Sequence, residues 1–98
     1  MDLGIPELTN KQFEEVCEAA ENAARKHILS QVSSKLLEKL DISVEAEGTK
    51  PVNFTVEVDL VLSKEAEGVK QKALADQAVE KAFEAIETYL RKLKNDVQ

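Results

Sequence analysis

The clearest hydrophobic pattern in the chain is an alternation of apolar and polar residues over positions 41–63. Apolar residues occupy every second position over 42–46 and again over 52–62. A period of two is typical of a β-strand with one buried face, and residues 48–51 have the composition of a turn. The pattern therefore predicts an antiparallel hairpin over 41–63, with one apolar face and one acidic face.

A first helix is predicted before the hairpin. Thr9 and Gln12 have the spacing of a capping box, and Leu8 and Phe13 have the spacing of a hydrophobic staple. Apolar residues then follow at intervals of three and four, which is the period of one helical face. These signals predict a helix over residues 9–30.

The longest predicted element is a helix over residues 69–95. Its apolar stripe comprises Ala75, Ala78, Val79, Ala82, Phe83, Ile86, Tyr89, Leu90 and Leu93. Between the first helix and the hairpin, the spacing of Leu36, Leu37 and Leu40 indicates a short helix over 33–40.

The element order is α, short α, β, β, α, after an N-terminal arm at residues 1–8. This order predicts an α+β two-layer sandwich in which the antiparallel hairpin is packed under the two long helices. The chain has 98 residues and no linker that would divide it, so it is expected to form a single domain spanning 1–98.

The predicted layers differ in width. Two strands make a ribbon about 10 Å wide, whereas two adjacent helices cover about 20 Å. Three arrangements would resolve the difference: the helices pack partly on each other, residues 31–40 contribute a strand, or the hairpin edge pairs with another chain. In the third arrangement, a protein partner or a second copy binds an edge that comprises Phe54, Val56, Val58 and Leu60.

The net charge of −6 describes an acidic protein and argues against a nucleic-acid partner. The basic residues with the best prospect of a local contact are Arg25, Lys26, Arg91, Lys92 and Lys94. They leave an accessory RNA-binding module as the alternative function. The sequence shows neither a signal peptide nor an apolar stretch of membrane-spanning length, so we expect a cytoplasmic protein that does not enter the membrane.

Few residues suggest chemistry. Cys17 and His27 lie ten positions apart on one predicted helix, about 15 Å along its axis, and therefore cannot form a thiol–imidazole dyad. We expect Cys17 to be a core residue and His27 to be structural. The chain has no glycine-rich phosphate loop and no metal-ligand spacing, which predicts a protein that is not an enzyme and needs no cofactor.

The outward face of the hairpin is acidic. Its carboxylates are Asp41, Glu45, Glu47, Glu57 and Asp59. Such charges commonly keep an exposed sheet from stacking on its neighbours. The alternatives are a cation site, which parallel strand carboxylates suit poorly, or a docking surface for a basic partner.

Four stretches of the chain resemble a small family of uncharacterised archaeal proteins of about this length, encoded beside the prefoldin beta subunit. The stretches are Gly-Ile-Pro-Glu-Leu-Thr at 4–9, Ala-Ala-Arg-Lys-His-Ile-Leu-Ser at 23–30, Leu-Asp-Ile-Ser-Val-Glu at 40–45 and Ala-Phe-Glu-Ala-Ile-Glu-Thr-Tyr-Leu at 82–90. The resemblance implies an archaeal cytoplasmic protein with a loose tie to chaperone or translation machinery, and it assigns no functional residue. Together with the residue patterns, it favours a non-enzymatic protein-interaction module.

Overall fold

The computed structural model describes residues 8–48, 52–66 and 68–96, with side chains up to Lys94, and the statements below concern these residues. The elements are α1 (Asn10–Gln31), a single 3-10 turn (Ser34–Leu36), β1 (Leu37–Glu47), β2 (Asn53–Leu62) and α2 (Gln71–Asp96). The two strands form an antiparallel sheet, and the order α-β-β-α in two layers confirms the predicted α+β class. The predicted arm over 1–8 and the hairpin turn lie mostly outside the described residues.

The capping box predicts the start of α1 correctly. The Thr9 hydroxyl accepts a hydrogen bond from the Gln12 N–H at 3.1 Å, and the Gln12 side chain accepts one from the Thr9 N–H at 2.9 Å. Leu8 is buried beside this cap. These bonds satisfy N–H groups that have no partner within the helix, so the local sequence sets where α1 begins.

The predicted short helix over 33–40 is wrong beyond Leu36, because β1 begins at Leu37. The pairing passes from Leu37 opposite Leu62 to Lys39 opposite Val61, so Glu38 is an extra residue in a β-bulge. The bulge places Leu37 and Leu40 on the same face of the strand, where both contact the core. A spacing of three that resembles a helix is therefore a strand with one inserted residue.

The bulge also corrects the predicted hairpin bounds of 41–63. β1 has 11 residues and β2 has 10, and the two strands pair along their whole lengths, up to Leu37 opposite Leu62. Leu60 lies opposite Leu40, a residue that the sequence analysis places in the short helix. Residues 37–40 thus lengthen β1, and the sheet of the described residues still has two strands.

Helix-to-helix packing resolves most of the difference in width. α1 contacts α2 and β1, and α2 contacts α1 and β2. Ala20 and Ala24 of α1 and Ala78 and Ala82 of α2 are fully buried. Small side chains allow two helices to approach closely, because the distance between helix axes depends on the residues in contact. The helices therefore bury part of their apolar surface against each other instead of against the sheet.

The buried stripe of α2 is narrower than the predicted one. It comprises Leu74, Ala78, Ala82, Ile86 and Leu90, at a strict spacing of four. Phe83, which the sequence places in the stripe, is 42% exposed. One helix and one narrow ribbon cover only a narrow band of α2, so an aromatic residue on its flank stays outside.

Two exposed polar contacts connect the helices. The Tyr89 hydroxyl donates a hydrogen bond to a Glu15 carboxylate oxygen at 2.8 Å, and His27 Nε2 lies 3.0 Å from Gln77 Oε1. Burial, then the hydrogen bond to Glu15 and its negative charge, raise the pKa of Tyr89 to about 12. These contacts show that α1 and α2 run antiparallel.

Ile28 and Leu29 are adjacent residues that allow a matched test of this core. Ile28 is fully buried, whereas Leu29 is 44% exposed. We expect Ile28→Ala to lower the free energy of unfolding by about 2–5 kcal/mol, because it removes core contacts and leaves a cavity. Leu29→Ala is expected to change it by less than about 0.5 kcal/mol. Urea denaturation measures both, and similar losses in the two variants would contradict the described packing.

Tyr89 makes stability depend on pH in the alkaline range. The pKa of this phenol is about 12 in the folded chain against an ordinary value of 10.0, so the unfolded chain loses the proton first. The stabilisation from Tyr89 is therefore complete below pH 10 and is lost as the pH rises towards 12. Tyr89→Phe should weaken this fall and lower stability at neutral pH by about 0.5–1.5 kcal/mol. Denaturant titrations of both proteins at several pH values measure this, and parallel pH profiles would refute the assignment.

Candidate functional site

The outer edge of β2 carries backbone groups to which no described residue is hydrogen-bonded. The Leu62 N–H donates to the Gln71 side chain at 3.0 Å, on the side away from β1, whereas the Ser63 N–H donates to the Leu36 carbonyl at 2.8 Å. Because successive residues of an antiparallel strand direct their N–H and C=O groups to opposite edges, the residues at even positions of β2 face outward. These residues are Phe54, Val56, Val58 and Leu60. No described backbone or side-chain group bonds to their outward N–H groups.

The same four residues direct their side chains into the core. Leu60 is 3% exposed, and the other three are half-buried against the helices. They are the residues that the sequence predicts as a partner edge. The structure brings them into one row, with the side chains against the core and the outward N–H groups unbonded within the described part of the chain.

The flank of α2 that lies farthest from α1 carries Phe83. At about 100° per residue, Phe83 is directed about 120° away from both Gln77 and Tyr89, the residues of α2 that bond to α1. Gln71 lies beside Leu62, and Phe83 follows Gln71 by about 18 Å of helix. A similar length of β2, about 20 Å, separates Leu62 from Val56. Measured along the direction of β2, Phe83 and Val56 therefore lie at about the same distance from the Gln71–Leu62 contact.

The outward face of the hairpin is acidic, as predicted, but it also carries a lysine. β1 and β2 contain six carboxylates and one basic residue, Lys39, which the sequence reading placed in a helix. Lys39 Nζ lies 2.9 Å from Asp59 and 3.7 Å from Asp41, and the hydrogen bond to Asp59 is the main cause that raises the pKa of this lysine. Glu57 makes no salt bridge with another described residue.

The five basic residues proposed as an RNA contact do not form one surface. Lys26 adjoins His27, which contacts Gln77, while Arg91 lies beyond Tyr89, which contacts Glu15. The His27–Gln77 and Glu15–Tyr89 contacts are 12 residues apart on each helix, or about 18 Å along the helix axis. Lys92 and Lys94 lie at the same end as Arg91. Arg25 is paired with Glu21, and Arg91 with Glu87, so two of the five charges are already compensated.

Cys17 and His27 are not brought together. Cys17 is half-buried beside Phe13 and Ala46, and burial raises the pKa of its thiol, which makes a nucleophilic thiolate scarcer. His27 instead contacts Gln77 of α2, about 15 Å along α1 from Cys17. Across the described ranges, no group of three or more His, Cys, Asp or Glu residues is placed to hold a metal ion. Neither α1 nor α2 contains an apolar run long enough to cross a bilayer.

The fold and the edge define a class of small α+β proteins in which two antiparallel helices cover one face of an open-edged hairpin. Residues 5–89 match the family model described as "Protein of unknown function (DUF3194)", and the chain belongs to this family.

Similar chains come from archaea. An uncharacterized protein of Thermococcus kodakarensis is 30% identical over 96 residues, which cover 98% of this chain and 88% of that protein. An uncharacterized protein of Pyrococcus furiosus is 24% identical over 94 residues, which cover 96% and 84%. These findings confirm the resemblance to an uncharacterised archaeal family. Its gene neighbourhood beside the prefoldin beta subunit stays a prediction.

Two solved structures share the fold. A hypothetical protein of Methanothermobacter thermautotrophicus, solved in solution, is 26% identical with a TM-score of 0.75, and the match covers 92% of this chain and 97% of that one. A crystal structure from Thermococcus onnurineus is 24% identical with a TM-score of 0.78, and the match covers 94% and 88%.

Amide hydrogen exchange tests the direction of the β2 backbone groups. The N–H groups of Thr55, Glu57 and Asp59 face β1, so we expect them to exchange slowly. Those of Val56 and Val58 face outward and should exchange faster, which gives an alternating pattern in residue-resolved NMR spectra. Equal protection of both sets in a dilute sample would show that the outer edge is covered.

Proposed function

We propose that this protein is a non-enzymatic interaction module that binds an extended segment of another protein along the outer edge of β2, as a third strand. The observation that carries the proposal is the row of outward backbone groups at Phe54, Val56, Val58 and Leu60. Segments that add to a sheet edge bind through main-chain hydrogen bonds, and each such bond contributes about 0.5–1.5 kcal/mol.

The size of the sheet supports the same proposal. An isolated two-stranded sheet is marginally stable in water, and this one is held by the helices on one face only. A third strand widens the ribbon from about 10 Å to about 15 Å, which is still narrower than the roughly 20 Å of two helices. An added segment therefore fits beneath α2 without displacing it.

Charge favours a segment of another protein over a second copy. When two β2 edges pair about a two-fold axis, the register centred on Glu57 sets this carboxylate opposite itself, and the register centred on Val58 sets it opposite Asp59. Like charges directly opposite each other are destabilising. The register centred on Val56 places Glu57 opposite Thr55, but it leaves the two Glu57 carboxylates on a diagonal. A segment of different sequence avoids this repulsion.

The proposal includes the absence of catalysis, because Cys17 lies beside Ala46 of β1 whereas His27 contacts Gln77 of α2, and neither lies at the β2 edge. A tie to chaperone or translation machinery in the cytoplasm is compatible with a module of this kind. Both the tie and the location stay predictions.

A pair of proline variants tests the edge. Val56 lies opposite Val44 in the hairpin, and the N–H groups of both residues face outward, from β2 and β1 respectively. Proline at such a position removes an edge donor and leaves the ladder between the strands intact. Val56→Pro should lose binding, by roughly 5-fold to 150-fold if about 1–3 kcal/mol is lost. Val44→Pro should bind as the wild type does.

The probe is a displayed library of random octapeptides, selected on the wild-type protein alone and then measured on both proline variants. We expect the selected peptides to protect the amides of Val56 and Val58 from exchange. Circular dichroism and thermal unfolding are the controls that test whether both proline variants are folded. Peptides that bind Val56→Pro and the wild type equally would overturn the proposal. Sedimentation measures mass, and a wild-type dimer that Val56→Pro dissociates would identify a second copy as the occupant.

A further inference from the structure

We propose that the segment bound at the β2 edge alternates basic and apolar residues, with the apolar side chains facing Phe83 of α2 and the basic ones beside Glu57 and Asp59. This inference rests on the proposed function and specifies the chemistry of its partner. It follows from the two different surfaces that border the open edge.

A third strand has two faces, because its side chains alternate between the two sides of the sheet. On the inner side, its side chains enter the space next to Val56 and Val58, below the flank of α2. On the outer side, they join the row that contains Thr55, Glu57 and Asp59, all of which are exposed. The sequence of a bound segment must therefore suit one apolar and one acidic surface at a period of two.

Phe83 extends the apolar surface on the inner side of the proposed third strand, outside the buried core. It is 42% exposed and lies on the flank of α2 farthest from α1, close to the level of Val56. Val79, one helical turn earlier, is half-buried on the same flank. A strand about 4.8 Å beyond β2 lies beneath this flank, since a helix with its side chains is about 10 Å across. Apolar side chains of the segment would thus cover an aromatic ring that the chain itself leaves exposed.

Glu57 makes the outer surface selective for positive charge. Its carboxylate makes no salt bridge with a described residue. Asp59, on the same face of β2, forms a salt bridge with Lys39 of β1, on the side away from the outer edge. Opposite charges on neighbouring strands stabilise a sheet, and like charges destabilise it. The net charge of −6 attracts a basic segment from a distance as well. An acidic segment with the same apolar residues meets repulsion on both counts.

Three heptapeptides with capped termini test the inference: Val-Lys-Val-Lys-Val-Lys-Val and its analogues with Gln or Glu in place of Lys. Fluorescence anisotropy with labelled peptides measures Kd, and exchange protection at Val56 and Val58 locates the site. We expect affinities in the order Lys, Gln, Glu, with a preference for Lys that falls as salt is added. A Val-Val-Val-Val-Lys-Lys-Lys peptide of the same composition should bind more weakly than the alternating one.

Glu57 and Glu45 provide matched charge variants. Both are exposed carboxylates on the outer face, but Glu45 is on β1, one strand farther from the added segment. Glu57→Gln should weaken binding of the Lys peptide by roughly 1.5-fold to 5-fold, and Glu45→Gln should leave it unchanged. Glu57→Lys should reverse the preference between the Lys and Glu peptides. Phe83→Ala should weaken all three peptides alike.

The outcomes separate the two proposals. Equal affinity for the Lys, Gln and Glu peptides, with binding lost in Val56→Pro, would overturn the basic-apolar partner and leave edge binding in place. An unchanged affinity in Phe83→Ala would overturn the role of the α2 flank. If none of the peptides protects Val56 and Val58, the edge is not their site and both proposals fail.

Discussion

Two helices side by side are about twice as wide as the two-stranded ribbon that they cover, and the rest of the structure depends on this difference. The chain resolves it by packing α1 against α2 through fully buried alanines at a spacing of four. Their small side chains bring the helices together, so that each needs only one strand beneath it. The helices therefore cover the inner face of the hairpin without a third strand. Among the described residues, this packing leaves both edges of the hairpin without a further strand.

The residues that anchor the hairpin are also the ones that open its edge. In an antiparallel pair, the residues whose backbone groups bond across the ladder alternate with those whose groups face away. In β2, the outward set coincides with the apolar residues that contact the helices, from Phe54 to Leu60. Their backbone is consequently held in place by the core, while its outward N–H groups have no hydrogen-bond partner among the described residues. This arrangement lowers the ordering that a bound strand would require, because the template is already fixed.

The sequence predicts the elements whose signals are local, and it fails where the answer depends on another part of the fold. Thr9 and Gln12 specify the start of α1 by themselves, and the period of two specifies the hairpin. In contrast, Leu37 and Leu40 have a helical spacing, and only the pairing with β2 shows that Glu38 is inserted. Phe83 follows the helical stripe, but how much of α2 is covered depends on the width of its neighbours. The sequence does not show which amides face the outer edge. A pair such as Val44 and Val56 could be a hydrogen-bonded or a non-hydrogen-bonded pair, and the alternation of apolar and polar residues would be the same.

An exposed sheet edge usually promotes aggregation, and the charges of this hairpin limit the strands that can pair with it. Glu57 and Asp59 repel a second copy of the same edge in the registers centred on Glu57 and Val58, and Lys39 is placed to compensate Asp41 and Asp59 but not Glu57. Protection against self-association and the proposed selectivity for a basic segment thus rest on one charge distribution. If charge served protection alone, an exposed aromatic beside the edge would be a disadvantage, because it adds apolar surface where pairing must be avoided. The position of Phe83 on that flank therefore favours the proposal that the edge recognises a partner segment.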